Sequence, residues 1–252
     1  MELTVETYLI VLPLVFLAAL VDSSGGGGGL ISLPAYLLTG LPAALASGSN
    51  KMSASLGSLV ATLRFLKSGK VHLKSALLAV LGAFPGAWLG ALILQRVDEQ
   101  IIRIFLLIAI PLMAVVVLTK RSTPTEIKPM TTGRLIGCFF LGFATGLYDG
   151  FFGPGTGTLI IMGLTYLIGM DMITASGTAK MVNLSSNIAA FGALLTGGNV
   201  LIPLALPAAA FSLAGGYLGS WLAIHRGAKF IRKIMLVVLA LLIIKLIMDW
   251  FV

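Results

Sequence analysis

Two lysines stand where lysines are costly. Lys51 and Lys180 each lie about nine residues into a long apolar run. At 1.5 Å per residue that is on the order of 13 Å deep in a ~30 Å hydrocarbon layer. A lysine at such depth costs roughly 2.5–3.5 kcal/mol, and intramembrane charges line ion pathways, relays or counter-ion sites. Two carboxylates belong to the same problem. Asp22 and Asp149 each open a glycine-rich break, residues 22–29 (DSSGGGGG) and 149–157 (DGFFGPGTG). The chemistry open to this set is electrostatic. Each lysine pairs with the aspartate of its own half as a structural ion pair, or one or both face a cavity and attract an anion. The two coexist if an aspartate holds a lysine until a substrate arrives. The carboxylates are also candidates for a proton relay that couples transport to the proton gradient.

The breaks suit an anion for a second reason. Helices expected to begin at Leu30 and Thr156 leave unpaired N–H groups, and positive dipole ends, pointing into the break. The donors are expected at Gly26, Gly27 and Gly28 and at Gly155 and Gly157, since glycine lets a backbone approach a ligand closely. Small polar side chains flank the lysines. Residues three or four apart share a helix face, so Ser47, Lys51 and Ser55 form one stripe, and Ser176, Lys180 and Asn183 or Asn187 the matching one. Ser47, Asn50, Ser176, Asn183 and Asn187 are expected to orient a bound ion; capping or helix–helix hydrogen bonding is the alternative for each.

Little else could do chemistry. No zinc spacing, nucleophile elbow or phosphate loop is present. The single Cys138 excludes an internal disulfide and reads as a small core residue. His72 and His225 fall in predicted loops. No enzyme, metal or cofactor is expected.

The elements that position these residues follow from composition. Of 252 residues 58% are hydrophobic and only 10% charged, with a mean hydropathy of +1.05, against about 25% charged in an ordinary soluble domain. Lipid must be the solvent. The excess of 17 Lys plus Arg over 9 Asp plus Glu reads as cytoplasmic loops rather than nucleic-acid binding. The first residues, with Glu2 and Glu6 and no clear cleavage site, do not read as a signal peptide. Apolar segments run over residues 8–21, 30–39, 43–65, 74–94, 101–118, 134–148, 156–168, 172–196, 201–224 and 229–252. Residues 8–21, 30–39, 134–148 and 156–168 are too short to cross, and pair around the two breaks.

The chain repeats itself. The offset that lays Lys51 on Lys180 also lays Ala46–Met52 on Ala175–Met181, Gly69 on Gly198, and Gly86 and Gly90 on Gly215 and Gly219. Asp22 meets Asp149 two residues off that register. The positive loop changes place between copies: Lys67, Lys70, His72 and Lys74 in the first, His225, Arg226, Lys229, Arg232 and Lys233 in the second. By the positive-inside rule the copies are inverted, with residues 1–120 and 134–252 as the two repeats and 121–133 as a cytoplasmic joint. The fold class expected is an all-α polytopic membrane protein. Each repeat has three crossing helices plus a glycine-broken re-entrant pair, and both termini lie on the outer face. Inverted repeats with broken helices mark secondary transporters. Gly82, Gly86, Gly90 and Gly142, Gly146, Gly150 are expected to be close-packing helix surfaces.

At residues 22–34, 46–52, 142–157 and 175–187 the sequence resembles the sulfite exporter TauE/SafE family, also described as the DUF81 membrane transporters. The resemblance in layout covers nearly the whole chain. It implies a permease of the bacterial inner membrane with about eight hydrophobic segments. It also implies a small anion as substrate, often sulfur-containing: sulfite, thiosulfate or an organosulfonate. Carried onto the matching motifs, it points to Asp22, Lys51, Asp149 and Lys180 with their glycine breaks. A passive anion channel would use the same residues. A membrane-embedded enzyme or sulfur-delivery partner is the rival from another class. Oligomeric state is not legible.

Overall fold

The computed structural model describes residues 3–119 and 129–226. The predicted last segment, residues 229–252, and most of the joint, residues 121–133, lie outside them, as do Lys229, Arg232 and Lys233. Among the described residues the chain forms nine α-helices and no strand: α1 (Val5–Gly25), α2 (Gly29–Leu37), α3 (Ala43–Lys67), α4 (Leu73–Leu94), α5 (Glu99–Thr119), α6 (Thr132–Phe151), α7 (Thr156–Met162), α8 (Met172–Thr196) and α9 (Ile202–Arg226). A single π-helical turn, Gly163–Leu167, extends α7.

The first arm of each broken pair is longer than the sequence suggested. α1 has 21 residues and α6 has 20, each about 30 Å. The polar residues that appeared to end them continue the helix instead, because each finds a partner inside the protein. Ser23, for instance, donates to the Ala19 carbonyl at 2.7 Å. The second arms are short: α2 has nine residues and α7 seven.

α3 and α8 lie side by side at the centre. α9 then α1 pack outward from α3; α4 then α6 pack outward from α8. The order α1, α9, α3, α8, α4, α6 is the same from either end once the halves are exchanged. Specific contacts recur with it. The His72 N–H donates to Thr178 Oγ1 at 3.0 Å, and the Leu201 N–H to Ser49 Oγ at 2.9 Å. Gly177 lies against the Lys70 carbonyl and Gly48 against the Asn199 carbonyl.

Glycine sets the outer spacing, as expected. Gly82, Gly86 and Gly90 lie against the carbonyls of Phe139, Phe143 and Leu147. Gly142, Gly146 and Gly150 lie in turn against those of Ala79, Ala83 and Ala87, so α4 and α6 run parallel with touching backbones. Gly215 and Gly219 meet the Phe16 and Leu20 carbonyls in the same way, pairing α9 with α1. Any side chain there would push the helices apart.

These contacts give the molecule two sides. The starts of α1, α3, α5 and α9 share one: Tyr8 donates to the Pro203 carbonyl at 3.2 Å, and the Glu99 carboxylate accepts the Ala43 N–H at 2.9 Å. The ends of α3 and α9 and the starts of α4, α6 and α8 share the other. There Arg64 sits 4.3 Å over the Tyr217 ring, and Asp171 caps α8 by accepting from Ile173 and Thr174.

The interior is the inverse of a soluble core. Ser, Asn, Lys, Ala and Gly fill α3 and α8, while Leu77, Leu81, Ile108, Leu112, Leu206 and Phe211 face outward. Only an apolar solvent makes that arrangement favourable. Three helices, Val5–Ser23, Leu73–Leu94 and Ile202–His225, are long and apolar enough to cross a membrane by themselves. α3 and α8 are 25 residues each, long enough but carrying the lysines and most of the serines. Cys138 is buried, as a small core residue would be.

Candidate functional site

Each half contributes one lysine and one aspartate, and the structure crosses them. Lys51 Nζ lies 2.7 Å from Asp149 Oδ1, and Lys180 Nζ lies 2.7 Å from Asp22 Oδ2. Pairing within each half, one of the two readings open from sequence, is not what forms. The two glycine breaks meet between α3 and α8, Gly26 against Gly157 and Gly29 against Gly153, and each aspartate, standing at its break, reaches the lysine of the other half.

The two pairs differ in their surroundings. Lys51 also donates to Asn187 Oδ1 at 3.1 Å, and Asn187 Nδ2 reaches Ser58 Oγ at 3.5 Å. The second oxygen of Asp149 accepts from Ser186 Oγ at 2.6 Å. Lys180 is fully buried and donates both to the Asp22 carboxylate and to the Asp22 carbonyl. Asn183 Nδ2 donates to Asp22 Oδ2 at 3.2 Å, and the Gly28 N–H to Asp22 Oδ1 at 3.3 Å. Asp22 thus ties the end of α1, the start of α2 and the middle of α8 together.

The glycine breaks meet at this level. Gly26 lies against the Gly157–Thr158 backbone, and Gly29 against Gly153 and Pro154. The chain reverses at Gly26, Gly153 and Gly155 with φ of 76°, 85° and 81°, a region open to glycine without penalty. Several donors expected for an anion have internal partners instead. The Gly26 N–H bonds the Asp22 carbonyl and the Gly28 N–H the Asp22 carboxylate. α2 begins at Gly29, one residue before the expected Leu30; α7 begins at Thr156.

A cavity opens beside the pairs, with about 550 Å³ of empty space, its mouth included. Of the residues singled out in the sequence, Asp22, Gly27, Gly28, Asn50, Lys51, Asp149, Gly155, Gly157, Asn183 and Asn187 line it. Gly26, Ser47, Ser176 and Lys180 do not. Ser176 and Ser55 donate to carbonyls of their own helices, those of Met172 and Lys51. Asn50 presents a buried Oδ1 with no protein partner.

The cavity follows from a departure from the repeat. Where α8 has Asn183 and Ser186, α3 has Ala54 and Gly57 at the same register. Ala54 and Gly57 both line the cavity; Ala54 is the smaller residue that leaves space, while Gly57 lets α3 pack closely against Ser212 of α9. Conversely, Asn50 and Ser53 beside Lys51 correspond to Ala179 and Val182 beside Lys180. Lys51 therefore has a polar, open flank, and Lys180 an apolar, closed one. The sequence reading passed over Ser58 and Ser212, which also line the cavity. Ser58 could have been found: it lies two helical turns after Lys51, on the same face.

The family model described as Sulfite exporter TauE/SafE matches residues 11–246. The chain belongs to the sulfite exporter TauE/SafE family. Among its TauE/SafE relatives, a protein of Haemophilus influenzae named as a probable membrane transporter protein is 34% identical over 259 residues, covering 100% of this chain and 99% of that one. A probable membrane transporter protein, ORF9, of a Sinorhizobium species is 36% identical, covering 93% and 90%. The probable membrane transporter protein YfcA of Escherichia coli K12 is 31% identical, covering 92% and 87%. No solved structure matches significantly. The family and the outward apolar faces agree: this is a multi-pass membrane protein.

Proposed function

We propose that this TauE/SafE protein is a secondary transporter that carries a small anion of the sulfite, thiosulfate or organosulfonate class across the bacterial inner membrane, coupled to protons. One observation carries the reading: a cavity at mid-depth whose wall holds a buried lysine that is already neutralised by a carboxylate. Two lysines and two aspartates sum to no net charge. An anion entering alone would leave a net negative charge in a low-dielectric site, which is strongly unfavourable. A singly charged anion, such as hydrogensulfite, entering with one proton leaves the site neutral. The relatives' names, probable membrane transporters, and the family's description, sulfite exporter, agree with this reading.

The layout supports alternating access between inverted repeats, residues 1–120 and 134–252 joined through 121–133. The packing order and the paired hydrogen bonds recur between halves, with equivalent helices starting on opposite sides. Lys67, Lys70, Lys74 and Arg134 share one side, which the positive-inside rule makes cytoplasmic. Glu6, Asp98 and Glu99 share the other, and both termini then lie outside. α1 with α2, and α6 with α7, act as hairpins, each entering and leaving on one side.

The test is uptake of radiosulfur-labelled sulfite, thiosulfate, sulfoacetate and sulfate into proteoliposomes. We expect saturable uptake of at least one, lost in the charge-balanced variant Lys51→Ala/Asp149→Asn. Saturable uptake that survives in that variant removes the site; no uptake of any of the four removes the substrate class.

A further inference from the structure

We propose that the two ion pairs, equivalent in the repeat, do different work. Lys51–Asp149 is the exchangeable pair, and Asp149 takes the proton that travels with the anion. Lys180–Asp22 is a fixed pin that holds α1 and α2 to α8. The proposal rests on the transport reading above and assigns its coupling to one carboxylate.

The asymmetry is visible atom by atom. Lys51 stands in the cavity wall beside Asn50, whose Oδ1 has no protein partner, and near Ala54, which also lines it. A proton delivered from the cavity to Asp149 leaves a neutral acid, still held by Ser186. Lys51 remains an ammonium and a singly charged anion takes the carboxylate's place against it. No other bond changes, and charge is conserved at every stage. Asn187, already bonded to Lys51, and the hydroxyl of Ser58 are placed to hold the lysine and ion together. Lys180 has no such room. It is absent from the cavity wall, flanked by buried Ala179 and Val182, and doubly bonded to Asp22. Removing Asp22 from it would also release the Gly28 and Asn183 hydrogen bonds.

The rival for the proton is Asp22, which also lines the cavity and is the more exposed carboxylate, 18% of its side chain against 3% for Asp149; what separates them is that Lys180, unlike Lys51, does not reach the cavity. α3 brings Lys51; α8 brings Lys180, held by Asp22 of α1. α4 carries only Lys74, in its first turn, and α7 carries no ionisable residue. The neighbouring Tyr148 spends its hydroxyl on the Pro154 carbonyl at 2.8 Å.

Proton uptake on anion binding tests the assignment. The full chain in lightly buffered detergent, with a pH-indicator dye, is mixed with sulfite, thiosulfate, sulfoacetate and sulfate in turn. We expect about one proton taken up per singly charged anion (hydrogensulfite) bound, with its affinity falling about tenfold per pH unit once Asp149 is ionised, and weaker binding of the doubly charged ions. Asp149→Asn abolishes the uptake and makes affinity independent of pH; Asp22→Asn keeps the ratio of protons to anions. The reverse pattern, proton uptake lost in Asp22→Asn and kept in Asp149→Asn, overturns the assignment. If none of the four anions binds the wild type, the anion reading itself fails, and thiol labelling decides the asymmetry separately. In a Cys138→Ser background, Lys51→Cys/Asp149→Asn should react with a small water-soluble methanethiosulfonate at least tenfold faster than Lys180→Cys/Asp22→Asn. Equal rates would overturn it.

Discussion

The crossed ion pairs make a quantitative prediction about coupling between residues far apart in sequence. In Lys51→Ala the Asp149 carboxylate is left buried, with 3% of its side chain exposed and only Ser186 as a partner. Breaking such a pair from one side costs about 3–5 kcal/mol. In a membrane protein of this size, 1 kcal/mol corresponds to roughly 2–4 °C of melting temperature, so the single variant should melt about 6–20 °C below wild type. Asp149→Ala should lose a similar amount, because it strands Lys51. The double variant Lys51→Ala/Asp149→Ala strands neither charge. Its loss should fall well short of the sum, with a coupling of about 3 kcal/mol. The pair within one half, Lys51 with Asp22, should be additive to within about 0.5 kcal/mol. The assay is reversible unfolding of the detergent-solubilised protein in a double-mutant cycle, followed by melting curves. A large coupling between Lys51 and Asp22, with near-additivity between Lys51 and Asp149, would refute the crossed arrangement and the account of the site built on it.

Three further outcomes follow from other contacts. Ala54→Leu puts a branched side chain into the cavity without touching either ion pair; anion uptake should fall at least tenfold while the melting temperature moves by less than about 4 °C, and unchanged uptake would show that the cavity is not on the path. Gly86→Val places a side chain against the Phe143 carbonyl, so α4 and α6 must separate, and we expect several degrees lost in thermal melting or no folded protein recovered. Asp171 caps α8: burial works to raise its carboxyl, but hydrogen bonds from Thr174 and Ile173 and the charge of Lys70 outweigh that and hold it below the usual carboxylate value. Its folded value lies below its unfolded one, so the cap stabilises above the unfolded value of about 3.9 and is lost as pH falls through the folded one; Asp171→Ala should cost about 1 kcal/mol at neutral pH and nothing further at strongly acid pH, read by melting at both.

What could be read in the sequence was what charge makes conspicuous. Lys51, Lys180, Asp22 and Asp149 stand out because each is costly in an apolar run, and the repeat register makes the lysines correspond. The glycine ladders of α4 and α6 were legible as packing faces because four-residue spacing has one geometric meaning in a helix. The pairing was not legible. Sequence proximity favours Lys51 with Asp22, and only the meeting of the two glycine breaks brings Asp149 to it instead. The lengths of α1 and α6 were misjudged because a charged residue was taken as a helix end, when it was the point at which the helix reached its partner. The trace of the cavity in the sequence was Ala54 at the register of Asn183. A small residue in lipid, however, signals close packing far more often than empty space, and only the three-dimensional arrangement distinguishes the two.

The central claim is that an anion enters this neutral site together with a proton. The direct measurement is internal pH in proteoliposomes that hold a trapped pH dye, on imposing an inward gradient of each of the four sulfur anions at zero membrane potential. The account predicts internal acidification that saturates with anion concentration and vanishes in Asp149→Asn. Anion entry that rises linearly with concentration, with no acidification, would contradict it and describe a passive pore.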